Sequence, residues 1–136
     1  MTAWLPASIF ALFSFGVWGL FTKLAITHID SKSALIFQSI GVLMVGLVTL
    51  SLIHFKPSTD FKGLSFGLLT GIAYGVGCFF YFMAADKGKL ITVVTLTALY
   101  PLVTIILSFL ILKEPITLKQ MLGILTAMIA IYLLSS

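Results

Sequence analysis

Five apolar runs of about 20 residues, parted by short polar gaps, constrain this chain more than any other feature. Each is long enough to cross a hydrocarbon layer of roughly 30 Å as a helix. They extend approximately from Trp4 to Ile26, Ala34 to Phe55, Leu64 to Ala85, Leu90 to Leu112 and Leu118 to Leu134. The gaps, THIDSKS, KPSTDFKG, DKGK and KEPIT, hold nearly all the charge and turn formers, and none is long enough to fold alone. In lipid the backbone N–H and C=O groups must find partners inside the protein, which makes helices of such runs. The expectation is an all-α integral membrane protein with five transmembrane helices per chain, one domain over residues 1–136.

Composition supports that class. Only 9% of the residues are charged and 60% are hydrophobic, whereas soluble domains carry about 25% charged residues. The net charge of +4 comes from eight lysines and no arginine, gathered near the gaps. That is the distribution of membrane-flanking lysine, not of a nucleic-acid-binding face. The opening MTAWLPASIF lacks both a basic region and a small-residue cleavage site, so the first run reads as a retained span. Cys78 stands alone in an apolar run, which leaves no disulfide framework. His28 and His54 sit near opposite faces, and no carboxylate pair lies within a span. Neither enzymatic chemistry, nor a metal site, nor a cofactor is expected.

Within the third run, GLSFGLLTGIAYGVGCFFY places Gly63, Gly67, Gly71 and Gly75 four residues apart, with Gly77 widening the groove they form. Glycine costs about 1 kcal/mol against alanine in a helix interior. In lipid such a groove lets two backbones approach closely, and packing replaces the missing hydrophobic drive. Tyr74, Cys78 and Tyr81 form a stripe beside it. The groove is either simple helix packing or one border of a solute path.

Other polar groups fall inside the spans. Trp4 suits an interfacial belt, while Trp18 lies deeper, where its indole N–H needs a partner. Lys23 either snorkels to the interface or caps a water-filled cavity. Gln38, one turn inside the second span, must face other helices, as interhelical glue or as part of a polar path. In the fourth span Thr97, Tyr100, Pro101, Thr104 and Ser108 share a face. Pro101 removes a backbone hydrogen bond and displaces the carbonyl of Thr97, as substrate-binding spans of transporters often do. The threonines can equally bond back to their own helix.

Five spans put the termini on opposite sides. Lys56, Lys62, Lys113 and Lys119 then lie on the N-terminal side, and Lys23, Lys32, Lys87 and Lys89 on the other. Orientation follows lysine and arginine bias across short loops, and four against four gives none. The inference is insertion in both orientations, so that two copies build what other transporters build from two inverted repeats.

LTALYPLVTIILSFLILKEPITLKQMLGILTAMIAIYLLSS resembles the closing part of an EamA domain of the drug/metabolite transporter superfamily, through Pro101, Glu114 and Gly123. GVWGLFTKLA resembles the family's first-span motif, through Trp18, Gly19 and Lys23. The likeness covers essentially the whole chain. It implies movement of small metabolites by alternating access. Family members usually carry two such domains in inverted orientation, so a single-domain chain has to pair with itself or with a partner. The related small multidrug resistance proteins bury a carboxylate in their first span, and no Asp or Glu lies within any span here. Glu114, at a span end, reads as a structural anchor that Lys113, Lys119 or a helix N-terminus can pair with.

The leading expectation is a secondary transporter or facilitator acting as an antiparallel homodimer of ten helices in a bacterial or archaeal cytoplasmic membrane. Its path is lined by Trp18, Gln38, Tyr74, Cys78, Tyr81, Thr97, Tyr100 and Pro101. Gly63, Gly67, Gly71, Gly75 and Gly123 serve helix packing, and Lys23 and Glu114 anchor helix ends. Such a lining favours neutral, zwitterionic or aromatic solutes. The partners are then a second copy, a small solute and the bilayer, without nucleic acid. The alternative is a non-transporting membrane subunit that packs against a larger partner through the glycine groove.

Overall fold

The first helix, α1, runs over Trp4–Ile26, and Ile29 closes the turn after it with a bond from its N–H to the Ala25 carbonyl. At 23 residues it is about 34 Å long. The computed structural model describes residues 4–135, for Ser135 the backbone alone, so residues 1–3 and 136 of the domain expected over 1–136 lie outside the described residues. Those residues are helical or connecting throughout, without strands. Four helical stretches are long and apolar enough to cross a membrane, and a shorter apolar helix follows them.

Local capping explains where three of the helices start. Asp30 is extended, and its carboxylate accepts from the N–H groups of Lys32 and Ser33, both at 3.0 Å. This N-cap starts α2 (Ser31–Leu52) three residues ahead of the hydrophobic onset at Ala34. The Ser33 hydroxyl, and then its N–H, hold the Asp30 carboxyl below its ordinary value. A depressed carboxylate stabilises the fold above its unfolded pKa, and that contribution is lost as pH falls through the lower folded value. The far end of α2 also comes three residues early, because His54 and Phe55 turn into the left-handed region with φ of 53° and 59°. Asp60 then caps α3 (Phe61–Lys87), accepting from the Gly63 N–H at 2.9 Å.

The fourth apolar run is not one regular helix. It divides into α4 (Leu90–Thr97), α5 (Tyr100–Leu107) and a π-helical turn at Ser108–Leu112. Pro101, in the first turn of α5, has no N–H to offer the Thr97 carbonyl. The chain crosses the break on tighter three-residue bonds, Leu99 N–H to Leu96 and Leu102 N–H to Leu99. Lys113 ends the π turn in the left-handed region, with φ 56°. Finally, α6 covers Leu118–Ser135, about 27 Å. Thr117 and Gln120 close a capping box at its start: the Gln120 amide oxygen accepts from the Thr117 N–H and hydroxyl, each at 2.8 Å.

The helices belong to two units, residues up to Asp86 and residues from Lys87 onward. In the first, α1 packs on α2 and also reaches α3 near its C-terminal end. In the second, α4 packs on α6. The first unit's buried set is small: Gly19, Thr22, Ala34, Cys78, Tyr81, Phe82 and Ala85. Large apolar side chains such as Phe10, Leu43, Phe66 and Ile72 point outward, the arrangement that a lipid solvent calls for.

Candidate solute site

In the first unit one polar constellation joins all three helices. The Trp18 indole N–H donates to the Gln38 amide oxygen at 2.6 Å, tying α1 to α2. On its other side the Trp18 ring lies against Tyr81 of α3, with ring centroids 4.7 Å apart and planes tilted by 35°. Thr22, one turn on, donates back to the Trp18 carbonyl at 3.0 Å and is itself buried. Beyond it, the Lys23 ammonium donates to the Ala85 carbonyl at 2.6 Å. That carbonyl belongs to the last turn of α3, where carbonyls lack helical partners and the dipole favours a cation.

The small size of Ala34 and Ala85 lets the helices come together here; Ala85 is 0% exposed and the neighbouring Phe82 2%. Trp18, Thr22, Ala34, Gln38 and Phe82 line a shallow cavity of about 240 Å³. Tyr81 is only 8% exposed, yet its hydroxyl has no hydrogen-bond partner among the described residues. An unsatisfied buried hydroxyl costs about 1–3 kcal/mol. Tyr81→Phe is therefore expected to hold or raise the thermal midpoint of the purified protein. A fall of several degrees would mean that the hydroxyl is bonded after all.

Three of the residues expected from sequence thus meet: Trp18 touches both Gln38 and Tyr81. Cys78 is buried among the helices, while Tyr74, farther up α3, is 43% exposed. Thr97, Tyr100 and Pro101 belong to the second unit. There the Thr97 hydroxyl donates to the carbonyls of Val93 and Val94, at 2.8 and 3.1 Å, and Thr95 bonds back to Ile91. Thr104 reaches the Tyr100 carbonyl at 3.4 Å. These donors serve their own helix.

The second unit holds a larger cavity, about 610 Å³, between α5 and α6. Pro101, Thr104, Ser108, Glu114, Gln120 and Gly123 contribute to its lining. The Ser108 hydroxyl donates to the Glu114 carboxylate at 2.6 Å, across the π turn. Local spacing carries no signal for this bond, because a regular helix through Ser108 brings residues three and four apart together. The Thr117–Gln120 box, by contrast, is written in the sequence as TLKQ.

The glycine groove stands open within its unit. A Cβ at Gly67, Gly71 or Gly75 would meet no atom within 4 Å, nor would one at Gly123 of α6. At Gly63 it would meet only the capping Asp60 carboxylate, at 3.7 Å.

The sequence model of the EamA-like transporter family matches residues 2–136. An uncharacterized protein of Methanocaldococcus jannaschii is 36% identical over 125 residues, 89% of this chain and 88% of that relative. The probable glucose uptake protein GlcU of Staphylococcus epidermidis is 33% identical over 107 residues, 79% of this chain but 36% of the relative. The glucose uptake protein GlcU of Staphylococcus xylosus is 31% identical over 96 residues, 71% of this chain and 32% of the relative. The chain thus spans about a third of the length of the glucose uptake proteins it matches. No solved structure matches.

Proposed function

Because the chain belongs to the EamA-like transporter family, we propose that it is a secondary transporter or facilitator for a small, neutral, polyhydroxylated solute of the sugar class. Two copies, inserted in opposite orientations, make one carrier that works by alternating access in a bacterial or archaeal cytoplasmic membrane. The observation that carries the solute class is the Trp18–Gln38–Tyr81 constellation. Aromatic faces accept the apolar face of a sugar ring, while an amide and a free phenol exchange hydrogen bonds with its hydroxyls. No charged side chain lines the adjoining cavity, which suits a neutral cargo. The names of the staphylococcal relatives agree with that choice.

Two features support the pairing. The lysines balance at four on each side of a five-span chain, and balanced loops leave orientation undetermined. The 107 matched residues are 36% of the S. epidermidis relative, which makes that protein about 300 residues, roughly twice this chain. Two copies of one five-span unit in inverted orientation reproduce the inverted repeats common in transporters. The open groove at Gly67, Gly71 and Gly75 favours, as a second reading, a subunit that packs against a larger, different protein.

Counterflow in proteoliposomes made from the purified chain tests the function. Vesicles preloaded with unlabelled glucose are expected to accumulate labelled glucose, and those preloaded with leucine are not. Absence of exchange for glucose and for related hexoses and polyols removes the sugar assignment. Absence of exchange for every solute class, with activity restored only by another membrane protein, supports the subunit reading. Reporters fused to the C-terminus are expected to be active on both faces of the membrane. Activity on one face alone overturns dual insertion.

A further inference from the structure

The cavity between α5 and α6 differs in chemistry from the constellation on α1–α3. Its walls are mostly aliphatic and aromatic, with Leu102, Phe109, Ile124 and Ile131 among them. Its polar groups are few, and most have their bonding committed. Thr104 donates to the Tyr100 carbonyl, and the Gln120 amide oxygen is taken up by the N–H and hydroxyl of Thr117. Glu114 is different. It receives one hydrogen bond, from Ser108, and a carboxylate has room for several more.

None of the residues lining this cavity is a lysine, although the chain carries eight of them. The lining thus combines a single negative charge with apolar walls and no lining cation. At about 610 Å³ the space falls within the range of small-molecule sites, roughly 300–1,000 Å³. Ser108 sits on the π turn and Glu114 just beyond Lys113, the left-handed residue that ends it. Local irregularities of this kind recur at functional sites.

From these features we propose that the α5–α6 cavity binds a small amphiphilic monocation, an amine whose ammonium pairs with Glu114 and whose apolar body lies along Leu102, Phe109 and Ile124. Ser108 acts as a positioning residue that fixes the carboxylate at the cavity. This ligand is distinct from the neutral solute assigned to the first unit, and the site stands whether or not that assignment holds.

Benzylamine, benzyl alcohol and benzoate serve as probes, sharing a ring and differing in charge. With the purified full chain in neutral detergent, benzylamine is expected to raise the thermal midpoint in a saturable way, since a ligand bound only to the folded state stabilises it. Benzyl alcohol and benzoate are expected to leave it unchanged, which also controls for partition into the micelle. Glu114→Gln is expected to weaken the amine by about tenfold or more, and Ser108→Ala by about threefold. Ile124→Trp, which puts an indole where the ligand's apolar body lies and keeps the charge, is expected to abolish binding. Equal shifts from the amine and the alcohol overturn the proposal, as does undiminished amine binding by Glu114→Gln. Should Glu114→Gln fail to fold, retained amine binding by Ile124→Trp overturns it instead.

Discussion

Trp18→Ala is expected to abolish solute exchange and to lower the stability of the purified protein by about 2–3 kcal/mol. Replacing a large aromatic by alanine in a packed core costs about 3–5 kcal/mol, and the indole here is only partly buried. Two contacts vanish and a cavity widens. Gln38 loses its donor at 2.6 Å, Tyr81 loses the ring at 4.7 Å, and the cavity beside Phe82 opens. The two effects separate with Trp18→Phe. Phenylalanine keeps a ring against Tyr81 but offers no N–H, so most stability returns, whereas exchange stays reduced if the indole–amide pair orients the solute. A partner hydrogen bond between membrane helices is worth about 0.6–2 kcal/mol, which bounds the stability that Trp18→Phe loses relative to the unsubstituted protein. Full exchange by Trp18→Ala, measured by counterflow, removes this constellation from the transport path.

On the proposed pairing, with the glycine groove as its seam, Gly71→Leu is expected to leave the α1–α3 unit folded and to break the association of two copies, with a loss of at least a hundredfold in dimer affinity. From sequence alone a leucine at Gly71 ought to weaken folding. The structure shifts that expectation, because a Cβ there meets nothing within 4 Å inside the protomer. Leucine also favours the helix over glycine, by something under 1 kcal/mol. What the side chain does obstruct is close approach by another backbone along the Gly67–Gly71–Gly75 groove. Helicity and thermal midpoint should therefore hold while the mass of the detergent-solubilised complex halves and counterflow falls away. A leucine variant that stays dimeric and active shows that the groove faces lipid. One that loses its helicity shows that the groove packs within the chain.

Much of the helical layout was legible before any coordinates. The spacing of the polar gaps located the outer ends of all five helical runs to within a few residues, and the early start of α2 comes from Asp30, a residue whose capping role can be read locally. Pro101 announced an interruption of the fourth run, and the break falls at Ala98–Leu99, just before it, where the missing N–H is felt. The π turn that follows was not legible, since nothing in SFLIL distinguishes it from an ordinary helical run. The polar side chains inside the spans were also visible as a set, and the Trp18 indole and the Gln38 amide each needed a partner. Which partner each would take was not visible.

By itself the sequence determined a membrane chain of five apolar helical stretches, because a backbone in lipid must satisfy its own hydrogen bonds and a helix does so within one contiguous segment. Only the tertiary structure decided that Trp18 bonds Gln38 twenty residues away, and that Lys23 reaches Ala85 sixty-two residues away. It alone left the Tyr81 hydroxyl buried without a partner among the described residues. The physical reason is one of range. Helix formation answers to periodicity over a few residues, whereas pairing between helices depends on their rotation and depth, which small residues such as Ala34 and Ala85 set only once the segments have packed.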